Sequence, residues 1–122
     1  MLSSMTPTIV ERDGQLWMVV GTPGGSTIIT AVTQTILNVY AFNLSMQQAV
    51  DAPRFHHQWQ PDSLRYEDGA INDDVLARLT AMGHADARGA GFAMGDANSI
   101  SFDGQVITAT SDPRNVGGAA AW

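Results

Sequence analysis

Gly21-Thr22-Pro23-Gly24-Gly25-Ser26-Thr27-Ile28 joins two runs of different character. Ahead of it, Leu16 to Val20 form a short apolar run that reads as a strand. Behind it, Ile28, Val32, Ile36 and Tyr40 recur every fourth residue, with Ile29, Leu37 and Val39 beside them. The run is rich in β-branched residues, which favours strand, but its length and spacing favour a helix from about Ser26 to Phe42. An apolar face that wide suits a helix packed on a sheet. A turn of this composition at a strand-to-helix junction leaves backbone N–H groups unpaired at the positive end of the helix dipole. Such a cradle suits an anion, or an oxygen that becomes negative during a reaction. Gly-Gly before a helix is also ordinary punctuation, so the local signal leaves both readings open.

The flanking sequence supplies an α+β frame. Asp13-Gly14 separates Thr8–Arg12 from Gln15–Val20, and Asp103-Gly104 separates Ser99–Phe102 from Gln105–Thr110. Asp-Gly between β-rich runs signals a hairpin whose central residues take positive φ. Ser45 and Gln48 form a capping box at the head of a short helix that Pro53 ends. Phe55–Trp59 and Leu64–Glu67 read as strands. Asn72 caps a third helix with Asp73-Asp74 in its first turn, a stripe of Val75, Leu76, Leu79 and Met82 expected to be buried, and Gly83 at its end. Gly89-Ala90-Gly91 reads as a loop, and the tail from Gly117 carries little information. The expectation is about six strands and two or three helices, with helices over one face of a largely antiparallel sheet.

The bulk composition excludes several classes. With 122 residues and 44% hydrophobic content, the chain suits one domain with a real core. Net charge is −6 and all six basic residues are scattered arginines, so no basic stripe exists for nucleic acid. No apolar run reaches membrane-spanning length. Met1-Leu2-Ser3-Ser4 has no basic region or apolar core, so no secretion signal is read there. Zero cysteines exclude disulfides, thiol catalysis and thiolate metal sites.

Other constellations are ambiguous on their own. Ser3 and Ser4 could donate to a carboxylate or simply form a polar turn, and no general base is tied to either. His56 and His57 are adjacent. On a strand their rings point to opposite faces and cannot share a metal, and His84 stands alone after the third helix, so no metal site is expected. Arg54 in Asp51-Ala52-Pro53-Arg54 and Arg114 in Ser111-Asp112-Pro113-Arg114 suit internal ion pairs, with carboxylate clamping the alternative for Arg114. Composition and spacing alone name no reaction.

Five blocks occur together and in order: Ser-Ser-Met-Thr-Pro-Thr at 3–8, Gly-Thr-Pro-Gly-Gly-Ser-Thr-Ile-Ile-Thr at 21–30, Ala-Val-Asp-Ala-Pro-Arg-Phe-His-His-Gln-Trp at 49–59, Met-Gly-His at 82–84 and Ser-Asp-Pro-Arg at 111–114. With them, the chain resembles the C-terminal part of the small subunit of γ-glutamyltranspeptidases from Ser3 to about Gly118. The resemblance implies an N-terminal-nucleophile hydrolase fold, an αββα sandwich, of which residues 1–122 would be one partial domain. It implies transfer or hydrolysis of the γ-glutamyl group of glutathione and related amides through a threonine ester, without cofactor or metal. It also implies that Ser3 and Ser4 hold the donor's α-carboxylate and that the N–H groups of Gly24 and Gly25 form the oxyanion hole. The nucleophilic threonine, the rest of the small subunit and the large subunit are expected outside these residues, leaving the isolated chain inactive. Unpaired edges would then favour a homo-oligomer. A related acylase fragment acting on glutaryl side chains, or a non-catalytic module, are the alternatives. Family members are often periplasmic, secreted or at the cell surface, and the sequence itself assigns no compartment.

Overall fold

A computed structural model describes residues 5–120. The first hairpin forms as its Asp-Gly turn requires. β1 (Thr8–Arg12) pairs antiparallel with β2 (Gln15–Val20), and both Asp13 and Gly14 have positive φ, 53° and 77°. The register shifts between Val10 and Glu11, so Trp17 has no direct partner across the ladder. It turns instead toward Tyr40 of helix α1 (Ile28–Tyr40), ring centroids 6.2 Å apart. β6 (Ser99–Phe102) pairs with β2, and β7 (Ile107–Thr110) with β6, to complete an antiparallel sheet of order β1-β2-β6-β7.

Residues directly opposite one another in this sheet share a face, and alternate residues change face. One face, with Met18 and Val20 fully buried, packs on α1 through Val32 and on α2 (Met46–Asp51) through Met46 and Val50. Val10, Trp17, Ile36 and Val39 close the margin of this core. The wide apolar stripe of α1 is therefore only partly used: Ile29, Leu37 and Tyr40 are exposed. The other face of the sheet is also apolar, yet open. Leu16, Val19, Ile100, Phe102 and Ile107 line one apolar hollow there, and Ile9 and Ile107 are 69% and 59% exposed.

Ser45 and Gln48 make the full capping box at α2, whose last carbonyls are followed by Pro53. Beyond it, the structure departs from the expected single sheet. β3 (Phe55–His56), β4 (Leu64–Tyr66) and β5 (Ala87–Gly89) form a separate three-stranded sheet in which β4 and β5 run parallel. This makes seven strands and three helices among the described residues. β5 replaces part of the expected Gly89-Ala90-Gly91 loop. It is a short edge strand without an apolar alternation, so no sequence pattern marks it.

The strand expected over Phe55–Trp59 stops at His56, because Gln58 bonds the Gln60 carbonyl and Trp59 adopts φ 69°. β7 likewise starts two residues later than expected. Asp103 Oδ1 accepts the N–H groups of Gln105 and Val106, at 2.9 and 2.8 Å, which pulls both into the turn. Only Gly104 of that turn has positive φ. Helix α3 (Asp73–Ala81) has its Asn72 cap, but its stripe is not buried: Leu76 and Leu79 are half-covered, and Val75 and Met82 are 40% and 77% exposed. Three strands of two or three residues offer too little surface to cover it.

Candidate functional site: a glycine turn buttressed by a buried ion cluster

β2 ends at Val20, and the chain passes through Gly21–Gly24 into a single 3-10 turn, Gly25–Thr27, before α1 begins. Gly24 has φ 142° and Gly25 φ 59°. A Cβ on Gly24 would lie 2.8 Å from Thr27 Oγ1 and 3.2 Å from Gly95 Cα, so sterics and dihedral both demand glycine there. A Cβ on Gly25 would meet nothing within 4 Å. The Gly24 carbonyl accepts from Thr27 N–H at 3.2 Å and Thr27 Oγ1 at 3.0 Å, which faces the turn's oxygen inward. Neither the Gly24 nor the Gly25 N–H donates a hydrogen bond within the described residues, and both glycines are exposed. Free amides at the head of a 13-residue helix are the anion-competent arrangement anticipated for this stretch.

The turn is held from behind by a loop far away in sequence. Asp96 N–H donates to Thr22 Oγ1 at 2.5 Å, and that hydroxyl donates to the Pro23 carbonyl at 2.7 Å. Gly95 fits beneath with no room to spare: a Cβ would stand 2.5 Å from Thr22 Oγ1 and 3.3 Å from the Pro23 carbonyl. On the other side, Thr22 N–H donates to the Met5 carbonyl at 3.0 Å. Ser3 and Ser4 lie outside the described residues.

The Gly95 loop is anchored in turn by four charged groups. Arg54, 1% exposed, donates to the Met94 carbonyl at 2.7 Å, the Val50 carbonyl at 3.0 Å and Asp112 Oδ2 at 2.8 Å. Asp112 Oδ2 also accepts the Ala97 N–H at 2.7 Å, while Oδ1 accepts from Arg114 N–H and Nη1, each at 3.0 Å. Glu67 accepts the Met94 and Arg54 N–H groups, both at 2.8 Å, and two bonds from the Arg114 guanidinium. Arg114 reaches the Val50 and Ala52 carbonyls as well, so both arginines sit at the negative end of α2.

Burial would raise the Glu67 carboxyl, but the bonds from Arg114, Met94 and Arg54 hold it below its ordinary value. Asp112 is likewise lowered: burial opposes, and the Ala97 and Arg114 N–H groups with the Arg54 charge prevail. Burial lowers Arg54, partly offset by Asp112. For Arg114, burial is outweighed by Glu67 and Asp112, and its affinity for its proton rises. Both arginines are therefore internal ion-pair partners, as their sequence context suggested. Glu67 and Gly95 carried no sequence signal, and Thr22 was marked only as part of the glycine stretch, because their roles arise from contacts 13 to 74 residues apart.

The histidines diverge as expected for neighbours on a strand. His56 is buried, its Nδ1 2.8 Å from Thr30 Oγ1 and its Nε2 2.9 Å from Gln58 Oε1. His57 Nε2 stands 3.0 Å from Asp62 Oδ1. The expectation that His84 stands alone is corrected: its ring meets that of His57 edge-on, centroids 5.5 Å apart. Gly83, at φ 108°, turns the chain back at the end of α3, so that His84 N–H bonds the Leu79 carbonyl and Gly83 N–H the Thr80 carbonyl. This Schellman closure returns the side chain toward the second sheet.

Known proteins are similar to this chain in sequence and in fold. All 122 residues match the family described as gamma-glutamyltranspeptidase. The chain is 50% identical over 117 residues to a glutathione hydrolase proenzyme of Escherichia coli, covering 94% of this chain and 20% of that one. It superimposes on the gamma-glutamyltranspeptidase of Pseudomonas nitroreducens complexed with L-DON with a TM-score of 0.88 at 43% identity, over 100% of this chain and 64% of the other. For the T380A mutant of the Helicobacter pylori gamma-glutamyltranspeptidase the TM-score is 0.86 at 46% identity, over 93% and 62%. The chain thus spans about a fifth of the E. coli relative's length and under two thirds of these solved chains. The architecture is that of an N-terminal-nucleophile hydrolase, built from three helices and mostly antiparallel strands. By sequence over its whole length and by fold, the chain belongs to the γ-glutamyltranspeptidase family.

Proposed function

We propose that this chain provides the oxyanion hole and the donor-carboxylate site of an enzyme that transfers or hydrolyses γ-glutamyl groups. One observation carries the reading: the exposed N–H groups of Gly24 and Gly25 have no acceptor among the described residues, at the N-terminus of a helix. Attack on a γ-glutamyl amide converts its carbonyl oxygen into an oxyanion, and two fixed amides stabilise that charge more than they stabilise the neutral carbonyl. Ser3 and Ser4 are assigned the donor's α-carboxylate, which their hydroxyls match as donors. Thr22, Gly95 and the Arg54–Asp112–Glu67–Arg114 cluster act as positioning groups. They hold the turn's dihedral angles without touching the substrate.

Covalent attack belongs to a threonine at a chain's N-terminus, whose own α-amine serves as base, and Thr6 cannot fill that part from inside a chain. Residues 1–122 then work as one partial domain, with the nucleophile-bearing segment and the large subunit as partners. The open apolar face at Ile9, Leu16, Ile100 and Ile107 supports this. It is the surface on which a second sheet would stack to make a sandwich, and its exposure also supports self-association of the isolated chain.

Reconstitution tests the assignment. The chain is combined with the threonine-led segment and large subunit of a family member, and release of the aniline from a γ-glutamyl anilide is followed. Turnover is expected, and Gly25→Pro, which cannot adopt φ 59°, should lower kcat by roughly 10²–10³-fold. A folded complex without turnover, or an unchanged kcat in the variant, would refute the role.

A further inference from the structure

We infer that His57, Asp62 and His84 form a binding site for one divalent transition-metal ion, with zinc the ion that suits the donors. The three residues are the first after β3, one further along the β3–β4 loop and one in the turn after α3. Each offers one ligand atom, and these atoms all lie within 4.8 Å of one another. Zinc bonds of about 2.0–2.2 Å to imidazole nitrogen and carboxylate oxygen place tetrahedral ligands roughly 3.3–3.6 Å apart. The His57–Asp62 contact of 3.0 Å must therefore open by about half an ångström, and the remaining pairs close by at most about 1.2–1.5 Å. Two imidazoles and one carboxylate favour zinc, nickel or copper over magnesium and calcium, which prefer all-oxygen sets. Solvent completes the fourth position.

The surroundings hold the donors in place. The Schellman closure at Gly83 fixes the backbone of His84. His57 follows the β3 ladder, and its Nδ1 accepts the Trp59 N–H at 3.2 Å. That bond assigns the ring proton to Nε2, which donates it to Asp62. On metal binding at Nε2 that proton gives way to the ion, and Nδ1 is the ring position left to carry it. The Trp59 N–H then turns to water, which its exposed position permits. Asp62, 74% exposed, is free to reorient from hydrogen-bond acceptor to ligand. The third histidine, His56, is occupied on both nitrogens by Thr30 and Gln58 and takes no part. The ion would tie the end of α3, whose stripe is poorly covered, to the β3–β4 loop.

The test uses the 122-residue chain freed of metal with a chelator and titrated calorimetrically with zinc chloride. One ion per chain is expected, with the ring resonances of His57 and His84 shifted and those of His56 unmoved. His84→Ala and Asp62→Asn, each checked for native circular dichroism, should weaken binding about tenfold or more, the scale on which metal sites respond to perturbed ligation. Both positions lie at least partly in solvent, so two independent variants guard against misfolding of one. The inference is overturned if zinc does not bind, if it binds with one ion per two chains, or if neither variant weakens it.

Discussion

Replacing Gly95 by alanine separates the cost of a backbone conformation from the cost of a blocked contact. Gly95 has φ +83°, and alanine in that region costs about 1–2 kcal/mol by local sterics. Its new Cβ would also stand 2.5 Å from Thr22 Oγ1, about an ångström inside ordinary contact. That hydroxyl cannot swing aside freely, because it accepts from Asp96 N–H and donates to the Pro23 carbonyl. Overpacking against a pinned group adds about 1–3 kcal/mol, so Gly95→Ala should cost roughly 2–5 kcal/mol in all. Gly91→Ala is the matched control: its φ is +68°, and a Cβ there meets nothing within 4 Å. It should cost only about 1–2 kcal/mol. Urea unfolding of both variants, read by circular dichroism, measures the gap. In the reconstituted enzyme, Gly95→Ala should also lower kcat, since the displaced atoms belong to the turn that carries Gly24. Equal midpoints for the two variants would refute the claim that the Gly95 loop buttresses the glycine turn.

The buried ion cluster makes further predictions. Asp112→Asn leaves the Arg54 charge without its carboxylate and should destabilise the chain by about 3–5 kcal/mol, visible as a lowered denaturation midpoint; a loss within error of zero would contradict the network. Glu67 and Asp112 are held below their ordinary values of 4.5 and 3.8, so at acid pH the unfolded chain binds more protons than the folded one. Their contribution to stability is therefore full above those ordinary values and is lost as pH falls through the lower folded ones. Urea midpoints should decline on acidification below about pH 5, and Glu67→Gln should flatten the decline; a midpoint that rose on acidification would reverse the sign and reject it. The open apolar sheet face predicts that the isolated chain self-associates in light scattering, and that Ile107→Lys shifts it toward monomer; a monodisperse wild-type monomer would remove that argument.

Local chemistry made much of the fold readable. The Asp13-Gly14 hairpin, the Ser45–Gln48 capping box, the Asn72 cap and the Gly83 stop each rest on residues within about four positions of one another, and each formed as read. The second Asp-Gly hairpin forms too, β6 against β7, but with a longer turn, because Asp103 caps it with its side chain and only Gly104 takes a positive φ. β5 and the uncovered stripe of α3 escaped for a different reason. A parallel edge strand and an incomplete covering layer are decided by which distant segments arrive beside them.

The same division runs through the candidate site. The glycines of residues 21–30 mark a strand-to-helix junction from sequence alone, because only certain backbones turn there and a helix start always leaves free amides. Which glycine is sterically irreplaceable was settled in three dimensions, where Gly95 arrives beneath Gly24 and Thr22 receives Asp96. Arg54 and Arg114 announced ion pairs by their charge, but Glu67 as the acceptor of the Arg114 guanidinium and the Arg54 backbone N–H, and His84 beside His57, appear only once the chain is folded. Side-chain type and short-range spacing act through torsions and near-neighbour hydrogen bonds, which the sequence encodes directly. Contacts such as these join residues dozens of positions apart, and close packing of the whole chain decides them.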